Sequence, residues 1–371
     1  MKKMLCMLVC LGLLAGCAAA PVQPSEETWD QPNQTVITLA DGSIQVSGSG
    51  VHTANDIVSD GAEDAARHTV VHINAPGTYV LSGKLDAGQI AVDLGENAKD
   101  DPNAVVTLVL DNLDITCTVA PAVIFYNVYE SGQPDGPAGA NVILALGSTN
   151  RVVGSHTEEY DGALYSRMSM NIGGEGLLRI EADNEGLCSE MHLTINGGEI
   201  SIESGNDGIN ANADGESVVT VNGGNLTIQV TGGTGEGDGI DSNGSIVING
   251  GTVQSYACAT SGDSGIDADL GIQINGGTVL ATGNMLDRIA GGQTYAAFQF
   301  AQPQGAGVYT LKNADGETVL ELAALNEFQY LLLSDPALAE GTYTLWSGDT
   351  QFMGAPALGG FVGGFQPIER P

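Results

Sequence analysis

The most regular feature of this chain is a series of short stretches in which apolar and polar residues alternate, separated by pairs of glycines. Four of these stretches end in an aliphatic residue followed by Asn-Gly-Gly, and the four asparagines are 26, 27 and 26 residues apart. They are Asn196, Asn222, Asn249 and Asn275. Alternation over a few residues, bounded by glycine turns, predicts β-strands with one buried face.

Each Asn-Gly-Gly motif lies between two predicted strands, and a third short strand precedes both. The third strand contains a Gly-Ile pair followed by a polar residue, as in Gly208-Ile209-Asn210, Gly239-Ile240-Asp241 and Gly265-Ile266-Asp267. Three short strands per repeat are typical of one coil of a parallel β-helix. A single coil cannot bury its apolar side alone, so neighbouring coils must stack. The sequence therefore predicts an all-β solenoid of the parallel β-helix type.

The segments that flank the repeats divide the chain into predicted parts. Residues 35–290 form the β-helix, and residues 291–354 form a small C-terminal β cap, because a solenoid needs an atypical unit over its last coil. Residues 18–34 are rich in Pro, Gln and Glu and are predicted to be a flexible tether. Residues 355–371 form a glycine-rich tail.

Residues 1–17 predict the signal peptide of a bacterial lipoprotein. Lys2 and Lys3 precede a short apolar run that is too short to remain as a membrane span. The run ends in Leu14-Ala15-Gly16-Cys17, which resembles a lipobox, so we expect Cys17 to be lipidated. This predicts a protein on the extracellular face of the cell membrane, held there by the lipid anchor alone. An ordinary secretory signal with a chance cysteine is the alternative.

The charge balance narrows the classes of ligand. The chain has 371 residues, with 45 Asp and Glu against 11 Lys and Arg, for a net charge of −34. Nucleic acid is excluded as a partner, because binding to phosphates requires clustered basic residues. Between Arg179 and Arg288 there is no Lys or Arg, against sixteen Asp plus Glu. A polyanion bound to these repeats would therefore need a metal ion to bridge its carboxylates to those of the protein.

When the repeats are aligned, the acidic residues fall into columns on one face. Asn210, Asp241 and Asp267 share a column, and Asn212, Asn243 and Asp269 follow two residues later on the same face. Asp207 and Asp238 immediately precede the glycine, and Asp263 lies one position earlier. Two carboxylates on adjacent coils, about 5 Å apart, repel by roughly 3 kcal/mol at an effective dielectric constant of 20.

A divalent cation would relieve this repulsion, and Ca²⁺ accepts six to eight oxygen ligands in a flexible geometry. We therefore predict Ca²⁺ as cofactor, with ligands drawn from Asp207, Asp238, Asp241, Asp263, Asp267 and Asp269. A solvated acidic face without metal is the alternative. The candidate glycan contacts are Asn210, Asn212 and Asn243 on the same face, with Tyr126 and Tyr129 on a protruding loop as platforms for a sugar ring. Those tyrosines could instead anchor the loop.

Several further motifs resemble one bacterial family. Pro76-Gly77-Thr78-Tyr79-Val80-Leu81-Ser82-Gly83 and Leu108-Val109-Leu110-Asp111-Asn112, followed by the Gly-Ile repeats, are similar to the clostridial cellulose- and acid-sugar-binding β-helix family of carbohydrate-binding domain-containing proteins. The resemblance extends from about Ile37 to Trp346. It implies a right-handed parallel β-helix similar to pectate lyases, with bound calcium and affinity for polygalacturonate and cellulose.

These observations together predict a monomeric, non-catalytic surface lipoprotein. Its ligand is expected to be an acidic, uronate-containing polysaccharide of the plant cell-wall type, bound through Ca²⁺ on the Asp/Asn face. One alternative is a structural surface protein or adhesin without a sugar ligand. Another is a Ca²⁺-assisted polysaccharide lyase, which would need a base such as Arg beside the metal. Arg167, on an earlier coil, is the candidate for that base.

Overall fold

The computed structural model describes residues 34–59, 62–339, 343–351 and 360–363, with the side chains of residues 62, 63 and 360–363 excepted. The predicted lipidation site Cys17, the signal peptide, and most of the tether and tail lie outside these residues. No helix in the described ranges is long and apolar enough to cross a membrane.

The described chain is almost entirely β-structure, which confirms the all-β prediction. Strands β1–β16 are Thr35–Leu39, Gln45–Ser47, Val51–Ala54, Thr69–Ile73, Gly77–Leu85, Gly88–Asp93, Val106–Thr116, Val123–Asn127, Ala140–Leu144, Thr149–Gly154, Gly162–Ser166, Met170–Gly174, Leu177–Ala182, Glu185–Ser189, Leu193–Ile195 and Glu199–Ser204. Strands β17–β32 are Ile209–Ala211, Val218–Val221, Asn225–Val230, Ile240–Ser242, Ser245–Ile248, Thr252–Tyr256, Gly271–Ile274, Thr278–Gly283, Ile289–Gly292, Tyr295–Gln304, Gly307–Lys312, Thr318–Ala324, Phe328–Ser334, Thr344–Ser347, Thr350–Gln351 and Gly360–Gly363. The helical segments are α1 (Ala62–Ala65) and a 3₁₀ turn at Ala98–Asp100.

Equivalent strands of successive repeats pair in parallel and form three ladders. The first ladder runs β1-β5-β7-β9-β12-β15-β18-β21-β23-β25. The second runs from the end of β7 through β10-β13-β16-β19-β22-β24. The third runs β4-β6-β8-β11-β14-β17-β20 and continues through a parallel bridge from Ile240 to Ile266. One repeat thus contributes a strand to each ladder, as β17, β18 and β19 do.

The core is built from columns of aliphatic side chains that point inward from these ladders. Ile209, Ile240 and Ile266 of the third ladder are at most 1% exposed. Val219 and Ile246, adjacent in the first ladder, are fully buried and align in the strand pairing. Because each column continues from one repeat to the next, the apolar surface of every repeat is covered by its two neighbours.

The Asn-Gly-Gly motif fixes the turn between the first and second ladders. The side-chain amides of Asn222, Asn249 and Asn275 each donate to the amide oxygen of the preceding asparagine, at 2.8 Å. The second glycine of the motif has positive φ, +83° at Gly251. A Cβ added there would lie 2.5 Å from the Gly224 carbonyl oxygen, so glycine is required for both conformation and space.

The ends of the ladders are covered by antiparallel strands. At the C-terminal end, β29 pairs antiparallel with β24 and β26, and the β27–β28 hairpin turns at Asn313 to Glu317. An apolar cluster centred on Phe328 and Leu331 packs beneath them. At the other end, β2 and β3 pair antiparallel with β1 and β4, an addition that the repeat pattern did not predict. Such strands satisfy backbone groups that an open sheet edge would expose.

Candidate functional site

Two columns of polar residues meet where the strands of the third ladder begin. The strand pairing aligns Leu187 with Ile209 and Ile209 with Ile240, and Ile240 bridges to Ile266. The residues two positions before these aliphatics therefore form one column, and the residues one position after form another. The first column contains Glu185, Asp207, Asp238 and Ser264, and the second contains Cys188, Asn210, Asp241 and Asp267.

Asp238, Asp241 and Asp267 come together at this point. Each contributes a carboxylate oxygen to a group whose members all lie within 4.8 Å of one another, and all three side chains are half-buried. We call these three residues the Asp238 cluster. It combines Asp238 from the first column with two successive members of the second, on the same side of the repeats.

Burial and the charges of neighbouring carboxylates raise the pKa values of Asp238 and Asp241. Burial raises the pKa of Asp238 to about 9, reinforced by the charges of Asp207, Asp267 and Asp241, although its carboxylate accepts a hydrogen bond from the Ser264 N–H. The pKa of Asp241 is raised to about 7, mainly by burial and then by Asp207. Without a cation, the cluster therefore retains protons at neutral pH instead of bearing its full charge.

The other aspartates predicted as ligands have separate partners. Asp207 accepts the Asp238 N–H at 2.7 Å, and its charge raises the pKa of Asp238 and Asp241. Asp263 accepts the Gly237 N–H at 2.6 Å and the Ser261 hydroxyl. Asp269 is exposed in the turn that precedes β23. The structure thus does not bring Asp263 and Asp269 into the Asp238 cluster, because Ser264 takes the column position and Asp263 lies one residue earlier.

The predicted asparagine contacts are largely used within the protein. The Asn210 amide donates to Glu185 Oε1 at 2.8 Å and is buried. The Asn243 amide donates to the Asn212 carbonyl oxygen at 2.9 Å. The Asn212 amide lies 3.5 Å from the Cys188 sulfur. These side chains therefore hold neighbouring repeats together at the edge of the cluster.

The placement of Tyr126 on a protruding loop is wrong. Tyr126 belongs to strand β8, packs against the core, and makes an edge-to-face contact with Tyr160, with ring centroids 5.6 Å apart. Burial raises its pKa above the usual range. Tyr129 does lie after the strand, where its N–H donates to the Ala104 carbonyl oxygen and its carbonyl accepts from Gly139. The Tyr126 ring thus packs within the protein, whereas the bonds that hold Tyr129 are made by its backbone, and a role of either ring in sugar binding stays a prediction.

Glu185 and Asp287 are acidic residues of this region that the sequence prediction missed. Glu185 is 5% exposed, and burial raises its pKa to about 7. Its position in the column was detectable from the alignment of Glu185-Gly186-Leu187 with the Asp-Gly-Ile motif. Asp287 is 4% exposed, accepts the Ala268 N–H at 3.0 Å and contributes to the raised pKa of Asp241. It follows the last regular repeat, so the repeat pattern gave no signal.

Three arginines lie away from the cluster, whereas Arg288, which follows Asp287, is nearer and donates to the Leu270 carbonyl oxygen. Arg151 and Arg179 project from the second ladder, where both form ion pairs with Glu181. Arg167 is exposed and aligns with Glu190, which places it three repeats before Asn243. At about 4.8 Å per repeat, that is a separation of about 14 Å along the stack.

A groove of about 340 Å³ crosses the ends of the second-ladder strands. Its polar lining includes Thr118, Ser155, Asp183, Glu203 and Thr231, which come from five successive repeats. These residues precede the third-ladder strands in the chain. The groove therefore runs along the stack beside the connections that lead to the acidic columns.

Comparison with known proteins gives the family. Residues 67–299 match the family described as carbohydrate-binding domain-containing protein. The chain belongs to this family. A member from Acetivibrio thermocellus, also described as a carbohydrate-binding domain-containing protein, is 30% identical over 135 residues. That match covers 36% of this chain and 45% of the relative, so the chain spans under half the length of that protein.

Among solved structures, the chain is similar to a polysaccharide lyase-like protein from C. thermocellum, determined as a gadolinium derivative. The identity is 23% and the TM-score 0.46, with 66% of this chain and 93% of that chain covered.

Proposed function

We propose that this family member binds acidic, uronate-containing polysaccharide without catalysis, through Ca²⁺ held by the Asp238 cluster. The observation that supports this most directly is the convergence of three carboxylate oxygens within 4.8 Å of one another. Ca²⁺ binds oxygen ligands at about 2.3–2.6 Å, so oxygens on opposite sides of one ion are separated by about 5 Å. The spacing and the oxygen-only donor set both fit this ion.

The same geometry leaves room for a glycan. Ca²⁺ takes six to eight ligands, and the cluster supplies three carboxylates that are half-buried and so remain accessible from one side. Glycan carboxylate and hydroxyl oxygens would occupy the remaining positions. Without the ion, a uronate would meet a strongly acidic surface, since residues 180–287 contain no Lys or Arg. Bound calcium would supply the positive charge that this surface lacks.

The positions and partners of the arginines favour binding over lyase chemistry. Proton abstraction next to a uronate carboxyl requires a base within hydrogen-bond reach of the substrate. Within the described residues, Arg167 is about three repeats away, and Arg151 and Arg179 are paired with Glu181. The guanidinium of Arg288 donates to the Leu270 carbonyl oxygen. His192 lies between β14 and β15, after the end of the third-ladder strand, whereas the cluster lies at the start of such strands. Its side chain is buried, which lowers its pKa.

The wider setting of this site is part of the proposal. The stacked repeats would form a right-handed parallel β-helix, and the protein would act as a monomer on the extracellular face of the cell membrane, attached through lipidated Cys17. A glycan chain bound at the cluster could continue along the stack into the groove lined by Ser155, Asp183 and Glu203.

Retention on immobilised polygalacturonate tests the binding proposal. We expect the wild-type protein to be retained in Ca²⁺ and released by EDTA, and the Asp241→Asn/Asp267→Asn double variant to pass through in both buffers. Glu199→Gln, which neutralises an exposed carboxylate outside the cluster, should behave as wild type. Retention that survives EDTA and the double substitution would contradict the proposal. Release of unsaturated uronate products, detected by absorbance, would instead show a lyase.

A further inference from the structure

We propose that the outer face of the C-terminal cap carries a second glycan subsite, which takes a uronate residue without a metal ion. The subsite is centred on the Trp346 ring, and Lys312 supplies the cation that meets the uronate carboxylate. It deepens the proposed function and rests on it for the identity of the ligand, an acidic polysaccharide. The subsite lies beyond residue 299, where the match to the family ends.

Trp346 lies on the outer face of the four-stranded sheet formed by β27, β28, β30 and β31. Leu311 and Leu345 are fully buried in the core of the cap, so the alternation of side chains along β30 places Trp346 on the opposite face. Val308, on the same outer face, is 52% exposed. The core of the cap therefore does not use this large ring, which is the only tryptophan among the described residues.

A row of polar side chains crosses the outer face at Trp346. The strand pairing aligns Trp346 with Thr310 on one side and with Gln351 on the other. Thr310 is in turn aligned with Glu321 on the edge strand. Directly paired residues share a face, so the row extends over roughly 14 Å. An aromatic ring between hydroxyl, carboxylate and amide groups suits a pyranose, which has an apolar C–H face and polar edges.

The indole ring is fixed before any ligand binds. Its N–H donates to the Thr344 hydroxyl at 2.9 Å, and the Lys312 ammonium lies 4.5 Å from the centroid of the ring. Thr344 and Lys312 are paired across the two strands, which brings both side chains to the same part of the sheet. A ring that is already held in place loses little conformational freedom when a sugar stacks on it.

Lys312 provides charge complementarity to a uronate. It is the only Lys or Arg between Arg288 and Arg370. In the described part of the chain, its ammonium contacts the Trp346 ring and forms no ion pair with a carboxylate. An ammonium has three donors on a flexible stem, so it could bind the carboxylate of a sugar stacked on the neighbouring indole. Lysine would thus do at the cap what calcium is proposed to do at the Asp238 cluster.

The subsite is expected to be weak when it acts alone. One stacked ring and one exposed charge contact correspond to a dissociation constant on the order of 1 mM. This is too weak to hold the protein on a washed column, so release of the wild-type protein from polygalacturonate by EDTA is still expected. On a long polysaccharide bound at the Asp238 cluster, the cap would add a second point of attachment.

Tryptophan fluorescence reports on this subsite. In a Trp29→Phe background, Trp346 is the only tryptophan of the chain. Titration with trigalacturonate in EDTA should change its emission in a saturable way, and added Ca²⁺ should not be required. Lys312→Gln should weaken this binding about tenfold. Glu327→Gln, which neutralises an exposed carboxylate outside the row, should bind as the background protein does.

A second ligand tests the role of the carboxylate without any substitution in the cap. Trigalacturonate whose carboxyl groups have been reduced to alcohols keeps the rings and the linkages, and it should bind the background protein about tenfold more weakly. Equal binding of the two trimers, or an unchanged affinity of Lys312→Gln, would overturn the uronate subsite.

The failures of the subsite and of the proposed function give different results. No change in Trp346 emission at ten times the expected dissociation constant, in a protein that Ca²⁺ still retains on polygalacturonate, would overturn the subsite and leave the proposed function intact. A saturable response that depends on Lys312, without Ca²⁺-dependent retention, would support the subsite and refute glycan binding at the Asp238 cluster. Neither response would overturn both.

Discussion

Removing calcium should make the stability of this protein depend on pH in an unusual direction. Asp241 has a pKa of about 7 in the fold, against an ordinary value of 3.8 in the unfolded chain. A carboxyl whose pKa is raised by folding stabilises the protein when the pH is below the pKa of that carboxyl in the unfolded chain. This stability is lost as the pH rises through the pKa of the carboxyl in the folded protein. In EDTA, the protein should therefore become less stable between pH 5 and pH 8.

The size of the effect follows from the same shift. At 1.36 kcal/mol per pKa unit, ionising Asp241 in the fold removes on the order of 3 kcal/mol between pH 5 and pH 8. For roughly 300 ordered residues, the entropy of unfolding near the melting temperature converts 3 kcal/mol into a fall of about 5 °C. Asp207 and Asp238, whose pKa values are also raised, act in the same direction.

The assay is thermal unfolding followed by circular dichroism across this pH range, in EDTA and in millimolar Ca²⁺. Wild type should lose stability with rising pH in EDTA but not in Ca²⁺, because the ion neutralises the cluster. Asp241→Asn should melt about 5 °C above wild type in EDTA at pH 8, near wild type at pH 5, and gain less from Ca²⁺. A melting temperature that rises with pH in EDTA, or Asp241→Asn melting below wild type at pH 8, would refute this reasoning.

Three further predictions concern the fold. Gly251→Ala should destabilise the protein by more than about 1 kcal/mol in urea unfolding, because of its positive φ and the nearby Gly224 carbonyl, whereas Gly262→Ala, in open space, should be nearly neutral. Asn249→Ala removes two side-chain hydrogen bonds of 2.8 Å and should cost about 2 kcal/mol in the same assay; no change would show that the asparagine ladder is not stabilising. Phe328→Ala, fully buried in the cap, should cost about 3–5 kcal/mol, and a loss below 1 kcal/mol would show that the cap packs loosely.

The repeats were predictable from the sequence because their chemistry is periodic. The Asn-Gly-Gly turns require glycine at one position and asparagine at another, and both requirements recur in four successive repeats. Once those motifs are aligned, the register of Asp241 and Asp267 follows, since parallel pairing puts equivalent residues side by side. The juxtaposition of these two carboxylates needed no further information.

The predictions that were wrong or incomplete concern features that do not repeat along the chain. Asp263 lies outside the predicted column because an irregular connection precedes Ser264. Tyr126 lies in a strand because β8 extends to Asn127. The antiparallel strands β2 and β3 serve one end of the molecule and have no counterpart in the repeats. The burial of Glu185 depends on how its neighbours pack, which alignment of motifs cannot show.

Anomalous diffraction from crystals grown with calcium would test the central claim most directly. The account predicts an anomalous peak about 2.3–2.6 Å from one carboxylate oxygen of each of Asp238, Asp241 and Asp267. Density with no ion between these three side chains at millimolar Ca²⁺, or side chains turned away from one another, would contradict it.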